Sequence, residues 1–149
     1  MHCTRPYADD VSTVIQSAHD HVWPECHSFL LLYSITAGLA AASSAPAFID
    51  AGSNIGACTL FLAAHGIPVF AFEPNPANLF YLTQSLAAPA NSHLRSRVAL
   101  YPLALGERHE QQPLFVQRGN AGNSVLATPV RATQAVATLG VCPRAHACP

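Results

Sequence analysis

Apolar and polar positions change period several times along this chain, and each change marks an element. Residues 1 to 27 are polar and histidine-rich, with little periodicity beyond a stretch from Asp10 to His19 that reads as a short helix. From Phe29 to Ile49 the chain is predominantly apolar, long enough by itself for a membrane span or a signal core. No basic flank accompanies the run, and Gly38, Ser43, Ser44 and Pro46 interrupt it. A helix from Ser28 to Ala41, a Ser-Ser-Ala-Pro break and a strand from Ala47 to Ile49 account for it as part of a soluble fold.

Beyond that strand the pattern becomes glycine turn, helix, strand. Ala57, Leu60, Phe61 and Ala64 recur at helical spacing and predict a core-facing stripe on a helix from Asn54 to His65. Gly66 reads as its terminating residue, with Pro68 just beyond. Val69 to Phe72 is a short continuous apolar run, the pattern of a parallel strand covered on both faces. Pro74 ends it, Asn75 is placed to cap the next helix, and Pro76 suits that helix's first turn. The helix extends to Ala87 and is expected to bury Leu79, Leu82 and Leu86. After a polar linker, a third strand is expected from Val98 to Leu105. Its Pro102 assigns it to the margin of the sheet. The fold class is therefore α/β, a Rossmann-like, doubly wound parallel sheet.

Composition narrows the function classes. The 149 residues suit one domain, half of them hydrophobic and a tenth charged, so a disordered tail is excluded. Net charge is −1, which argues against nucleic acid or an anionic membrane as a partner. Every basic residue is arginine, and the chain has no lysine. Cys3, Cys26, Cys58, Cys142 and Cys148 are scattered and odd in number. Cys58 falls in a predicted buried helix, where it is expected as a free thiol behaving as a small hydrophobe. A reducing, cytoplasmic setting follows. His19, His21, Cys26 and His27 match no tight metal-ligand spacing, so no metal site is assigned.

The chemistry concentrates in Phe48 to Gly56, FIDAGSNIG, where a buried strand ends on a carboxylate and turns through glycine. In parallel sheets ligands lie outside the carboxyl ends of the strands, where strand order reverses. Gly52 lets the backbone turn sharply, and Gly56 is expected to let a ligand approach the helix. Glu73 ends the next strand, where a carboxylate can accept both hydroxyls of a ribose. The dinucleotide fingerprint G-x-G-x-x-G is not met, since this turn is G-x-x-x-G. Asp50 would oppose a pyrophosphate, and no lysine exists to serve a phosphate loop. S-adenosylmethionine brings an ammonium and a sulfonium instead, both cations that Asp50 would favour.

These segments resemble the FkbM-type family of class I S-adenosylmethionine-dependent methyltransferases. The likeness rests on FIDAGSNIGACTLFLA, VFAFEPNPANLFYL and VALYPLALGE, with a weaker polar segment NAGNSVL at Asn120 to Leu126. The family's usual turn reads D-x-G-A-N-x-G, so Ser53 stands where it has alanine; FEPNP at Phe72 to Pro76 matches letter for letter. The resemblance implies that Asp50, Gly52, Asn54 and Gly56 hold the methionyl part of the cofactor and Glu73 the ribose. Asn75 would lie beside the adenosine, and Ala104 and Leu105, ending the third strand, near the adenine. It also implies O-methyl transfer to a hydroxyl of a small molecule or sugar. His65 and His109 are not aimed at the cofactor by any spacing, and no catalytic base is assigned.

The family's next strand carries an acidic motif, commonly D-V-E-G. Here Val136 to Val141 reads VATLGV, with Gly140 where an aspartate would fall, and no acidic residue follows Glu110. The organisation expected is a poorly patterned segment 1–27, a partial methyltransferase domain 28–139 and a divergent tail 140–149. With later strands missing, the first strand would expose an apolar edge open to a sheet-completing partner. A non-catalytic remnant, acting as a nucleoside-binding or interaction module, is the alternative reading. A nicotinamide-dependent dehydrogenase would need the absent middle glycine.

Overall fold

The computed structural model describes residues 10–39, 46–108, 110–117, 120–125 and 135–142. Helix α1 (Asp10–Ser17) and helix α2 (Pro24–Leu39) lead into strand β1 (Phe48–Ala51). Helix α3 (Ala57–Ala64), strand β2 (Val69–Phe72), helix α4 (Pro76–Ala87), a 3-10 helix (Pro89–Arg97) and strand β3 (Val98–Tyr101) follow in order. These three strands form one parallel sheet in the order β1-β2-β3. The result is mixed α/β, consistent with a partial Rossmann-like fold.

Local chemistry sets these boundaries. α3 stops at a Schellman motif: Gly66, at φ +85°, donates to the Ala63 carbonyl at 3.0 Å, and the Ile67 amide donates to Leu62 at 3.2 Å. Leu62 and Ile67 are both buried in the same core cluster, the hydrophobic contact that accompanies this motif. α4 begins where Asn75 Oδ1 accepts from the Ala77 amide at 3.0 Å, with Pro76 in the first turn. α2 starts at Pro24, four residues before the expected Ser28, and its Tyr33 hydroxyl donates to the Pro46 carbonyl at 2.7 Å, fixing the approach to β1.

The core lies between the sheet and α3. Leu62, Ala63, Ile67, Val69, Ala71 and Leu94 are buried together, flanked by Leu30, Tyr33, Phe48, Leu60, Phe61, Leu86, Val98 and Leu100. Phe72 stacks on Tyr101, its register partner in β3, at 4.8 Å and 12°.

Four expectations need correction. α3 buries Thr59, Leu62 and Ala63 rather than the stripe Ala57, Leu60, Phe61 and Ala64. The helix is apolar nearly all round because α2 covers a second side, so its sequence carries no readable phase. His27 meets Phe61 edge-on at 5.0 Å there. Cys58 is not a free thiol, since it is joined to Cys26 across α2 and α3 with Cα atoms 5.0 Å apart. Oxidising compartments sustain such bonds, so the reducing setting read from scattered cysteines has no support in this structure. The third strand stops at Tyr101, just before Pro102, and Ala104–Leu105 forms a separate strand β4. On α4, Leu82 is fully buried but Leu79 and Leu86 only partly, while Asn78 is buried.

β4 belongs to a second sheet with β5 (Glu110–Gln117), β6 (Asn120–Val125) and β7 (Ala135–Cys142), in the order β4-β7-β5-β6. Sequence patterning did not announce it. Pro113 sits inside β5, which is tolerable because β6 pairs with β5 only from Phe115 onward. His109, Cys3, Cys148 and Leu126 lie outside the described residues. No helix among the described residues is long and apolar enough to cross a membrane.

Candidate functional site

The carboxyl ends of β1 and β2 lie side by side, Asp50 opposite Ala71 and Ala51 opposite Phe72. The Phe72 carbonyl accepts from both the Gly52 amide at 2.8 Å and the Ser53 amide at 3.0 Å. The Ser53 carbonyl then accepts from Gly56 at 2.8 Å, closing a turn whose residues Gly52, Asn54 and Gly56 have φ of +85°, +53° and +90°. Asparagine and glycine are the residues that adopt this left-handed region most readily, which explains their alternation here.

Glu73 holds the turn from the next strand. Its Oε2 accepts from the Asn54 amide at 2.7 Å, and its Oε1 from the Asn75 amide at 2.7 Å and from Asn78 Nδ2 at 3.2 Å. A carboxylate offers about four acceptor sites, and three are taken. One is left on Oε2, sufficient for one ribose hydroxyl and not for both. Burial pushes the Glu73 carboxyl above its usual range, opposed by the amides of Asn75 and Asn54 and by Asn78, while the nearby Asp50 charge raises it further.

Asp50 accepts from the Thr59 hydroxyl in the first turn of α3. Burial raises its carboxyl too, with the Thr59 bond opposing. Among the described residues neither carboxylate has a cationic side chain against it, the ion pair there being His27 with Asp20. The native state therefore holds the Asp50 proton more tightly than the unfolded chain does. That contribution to stability is full below the ordinary carboxylate range and is lost as pH rises through the raised value. Asp50→Asn keeps an oxygen for Thr59 and is expected to flatten the fall of the urea midpoint above that range. Glu73, shifted in the same direction, contributes to the slope that remains. An unchanged slope in the variant would contradict this assignment.

The expected site residues separate into two groups. Asp50, Gly52, Asn54 and Glu73 converge on one turn, and an added Cβ at Gly52 would meet nothing within 4 Å. Gly56 serves packing instead: a Cβ there would run into Leu82 of α4, so its bareness admits a neighbouring helix rather than a ligand. Asn75 is 1 % exposed and committed to its cap. Ala104 and Leu105 lie in β4, paired with β7 in the second sheet, rather than at the end of the third strand. Strand order shows no reversal among the described residues, and β1 is an edge.

Three residues of the site escaped the sequence reading. Thr59 could have been suspected as a hydroxyl one helical turn past a carboxylate-glycine turn, and Asn78 as a polar residue four before the buried Leu82. Ser53 is the third. It is 5 % exposed, and its Oγ, like Asn54 Oδ1, is buried without a hydrogen-bond partner. Polar atoms left so are rare, and each calls for an explanation. His65, at the C-terminal end of α3 and so at the opposite end from the turn, is exposed and bonds through Nδ1 to the Phe61 carbonyl at 2.9 Å.

No family model matches the chain, and no curated protein is significantly similar to it. Among solved structures it is similar to the methyltransferase FkbM from Methylobacillus flagellatus KT, at 24 % identity and a TM-score of 0.39. The superposition covers 45 % of this chain and 19 % of that one, so it spans about a fifth of the neighbour's length. Likeness of that extent carries no argument about activity.

Proposed function

We propose that the Asp50–Gly56 turn binds S-adenosylmethionine and that the chain serves methyl transfer to a hydroxyl of a small molecule or sugar. The observation that carries this reading is the composition of the turn. Asp50 and Glu73, two carboxylates with no cationic side chain of the described residues against them, stand beside buried side-chain oxygens without a hydrogen-bond partner and an α3 N-terminus that no side chain caps. A cationic ligand would relieve the repulsion between the carboxylates, whereas a pyrophosphate would increase it. Bound there, the cofactor supplies an electrophilic methyl group on sulfonium.

Each residue has a definite task in this reading. Asp50 and Asn54 favour the positive end of the cofactor. Gly52 leaves open space at the turn, and Glu73 holds the Asn54 backbone in its left-handed conformation while keeping one acceptor site for a ribose hydroxyl. Alignment and exclusion of water supply most of the rate in such a displacement, and no base is assigned for the acceptor. The test is equilibrium dialysis of labelled S-adenosylmethionine against the folded chain, with NAD⁺ in parallel. Stoichiometric retention of the first alone is expected; retention of NAD⁺ instead would overturn the reading.

One observation favours a second reading, a non-catalytic module that completes its sheet with another chain. The Phe48 and Gly52 amides donate toward β2, so by strand alternation the backbone groups of Ile49 and Ala51 face an open edge. Ile49 is 47 % exposed beside it. Self-association in sedimentation without nucleoside retention would select this reading over the first.

A further inference from the structure

The Cys26–Cys58 bond lies one residue from the carboxylate end of β1. Cys58 is the second residue of α3, and Thr59 beside it donates its hydroxyl to Asp50. Thr59 is wholly buried, and the helix start has no side-chain cap, since its N-cap is Gly56. Side chains thus tie the first turn of α3 to β1 through Thr59 and to α2 through the disulfide. Tyr33 fixes α2 farther along, by its bond to Pro46, so the disulfide anchors the end of α2 that meets the start of α3. Two sulfurs no longer bonded need more room than a bonded pair. Cys26 is fully buried in a packed interior, so that room comes from a shift of α2 against α3.

We propose that Cys26 and Cys58 form a dithiol–disulfide switch that sets the affinity of the turn, reduction loosening the start of α3 and the hold of Thr59 on Asp50. This rests on the cofactor reading above and adds regulation to it, with Thr59 as a positioning residue. The reductant is a dithiol. Cys58 is partly buried and Cys26 fully so, and a thiolate of the reductant therefore attacks the Cys58 sulfur, releasing Cys26 as thiolate. The reductant's second thiol then displaces Cys58 from the mixed disulfide and closes a disulfide of its own. Two electrons pass to the protein, and the two protons lost by the reductant end on the two cysteines.

The test pairs a mutant cycle that needs no ligand with a binding measurement. Thr59→Val deletes the hydroxyl at nearly constant volume. Its shift of the urea midpoint is measured in the oxidised chain, after dithiothreitol, and in Cys26→Ala with Cys58→Ala. The effect of the cross-link on the unfolded chain is common to both arms and cancels. The Thr59→Val shift is expected to fall at least about twofold once the bond is broken. Calorimetry with S-adenosylhomocysteine should show about tenfold weaker binding after reduction, as befits one hydrogen bond to a charged group. Leu94→Ala, a core variant that keeps the bond, should retain the oxidised affinity, which separates the switch from general destabilisation. An equal Thr59→Val shift in both states, an affinity indifferent to reduction, equal weakening in Leu94→Ala, or unfolding once the bond is broken would each overturn the switch; the cofactor reading would stand. If the oxidised chain binds no nucleoside, the cofactor reading falls, and the Thr59 cycle alone decides whether the bond controls the turn.

Discussion

Gly56→Ala is expected to destabilise the fold by about 2–5 kcal/mol. Two separate costs add. A non-glycine residue in the left-handed region loses about 1–2 kcal/mol, and forcing a methyl into a filled site costs about 1–3 kcal/mol. Gly56 sits at φ +90°, and the new Cβ would run into Leu82, whose side chain is fully buried and has no solvent to swing into. Thermal unfolding should fall by about 10 °C. Leu82→Ala alone should cost about 2–5 kcal/mol through its cavity. The double variant should cost less than the sum, because the methyl introduced by Gly56→Ala then occupies space that Leu82 vacated. Strict additivity, or an unaffected Gly56→Ala, would contradict the packing role.

The second large effect concerns the bond between Cys26 and Cys58. It closes a loop with a sequence separation of 32, and removing a cross-link of that span costs about 2–4 kcal/mol. Cys26 is fully buried, and the bond ties α2 to the helix that begins at the glycine turn. Cys26→Ser with Cys58→Ser, or treatment of wild type with a dithiol, is expected to lower the urea midpoint to the same extent. In the untreated chain, unfolded without reductant, at most three of the five cysteines should react with a thiol reagent. Reaction of all five would refute the bond.

The N-terminal half of the sheet was legible because its signals are local. Gly66 followed by Pro68, Asn75 followed by Pro76, and an unbroken VFAF run each encode their structure within a few residues. β2 and α4 accordingly have the expected limits. What failed depends on contacts between distant segments. The buried face of α3 is decided by α2 as much as by the sheet. The Cys26–Cys58 pairing joins residues with no common motif. The 3-10 helix replaced a polar linker, since short helices of that kind carry little periodicity.

The site divides along the same line. Asp50, Gly52, Asn54 and Glu73 were recognisable from strand ends and a glycine turn, and they do converge. The reason for Gly56 lay in a distant helix, with Leu82 filling the space a side chain would need. Asn75 turned out to be occupied by its own cap, as its position before Pro76 had also implied. Ser53 passed as a small neutral substitution because an unpartnered hydroxyl is visible only once every neighbour has been placed.

Whether the turn holds an adenosyl ligand is decided by an amide-resolved NMR titration of the folded chain with S-adenosylhomocysteine. Saturable, one-to-one shifts are expected, concentrated in the amides of Gly52, Ser53, Asn54 and Ile55 and of Ala57 to Thr59. A folded chain whose turn amides do not move at saturating nucleoside would contradict the assignment.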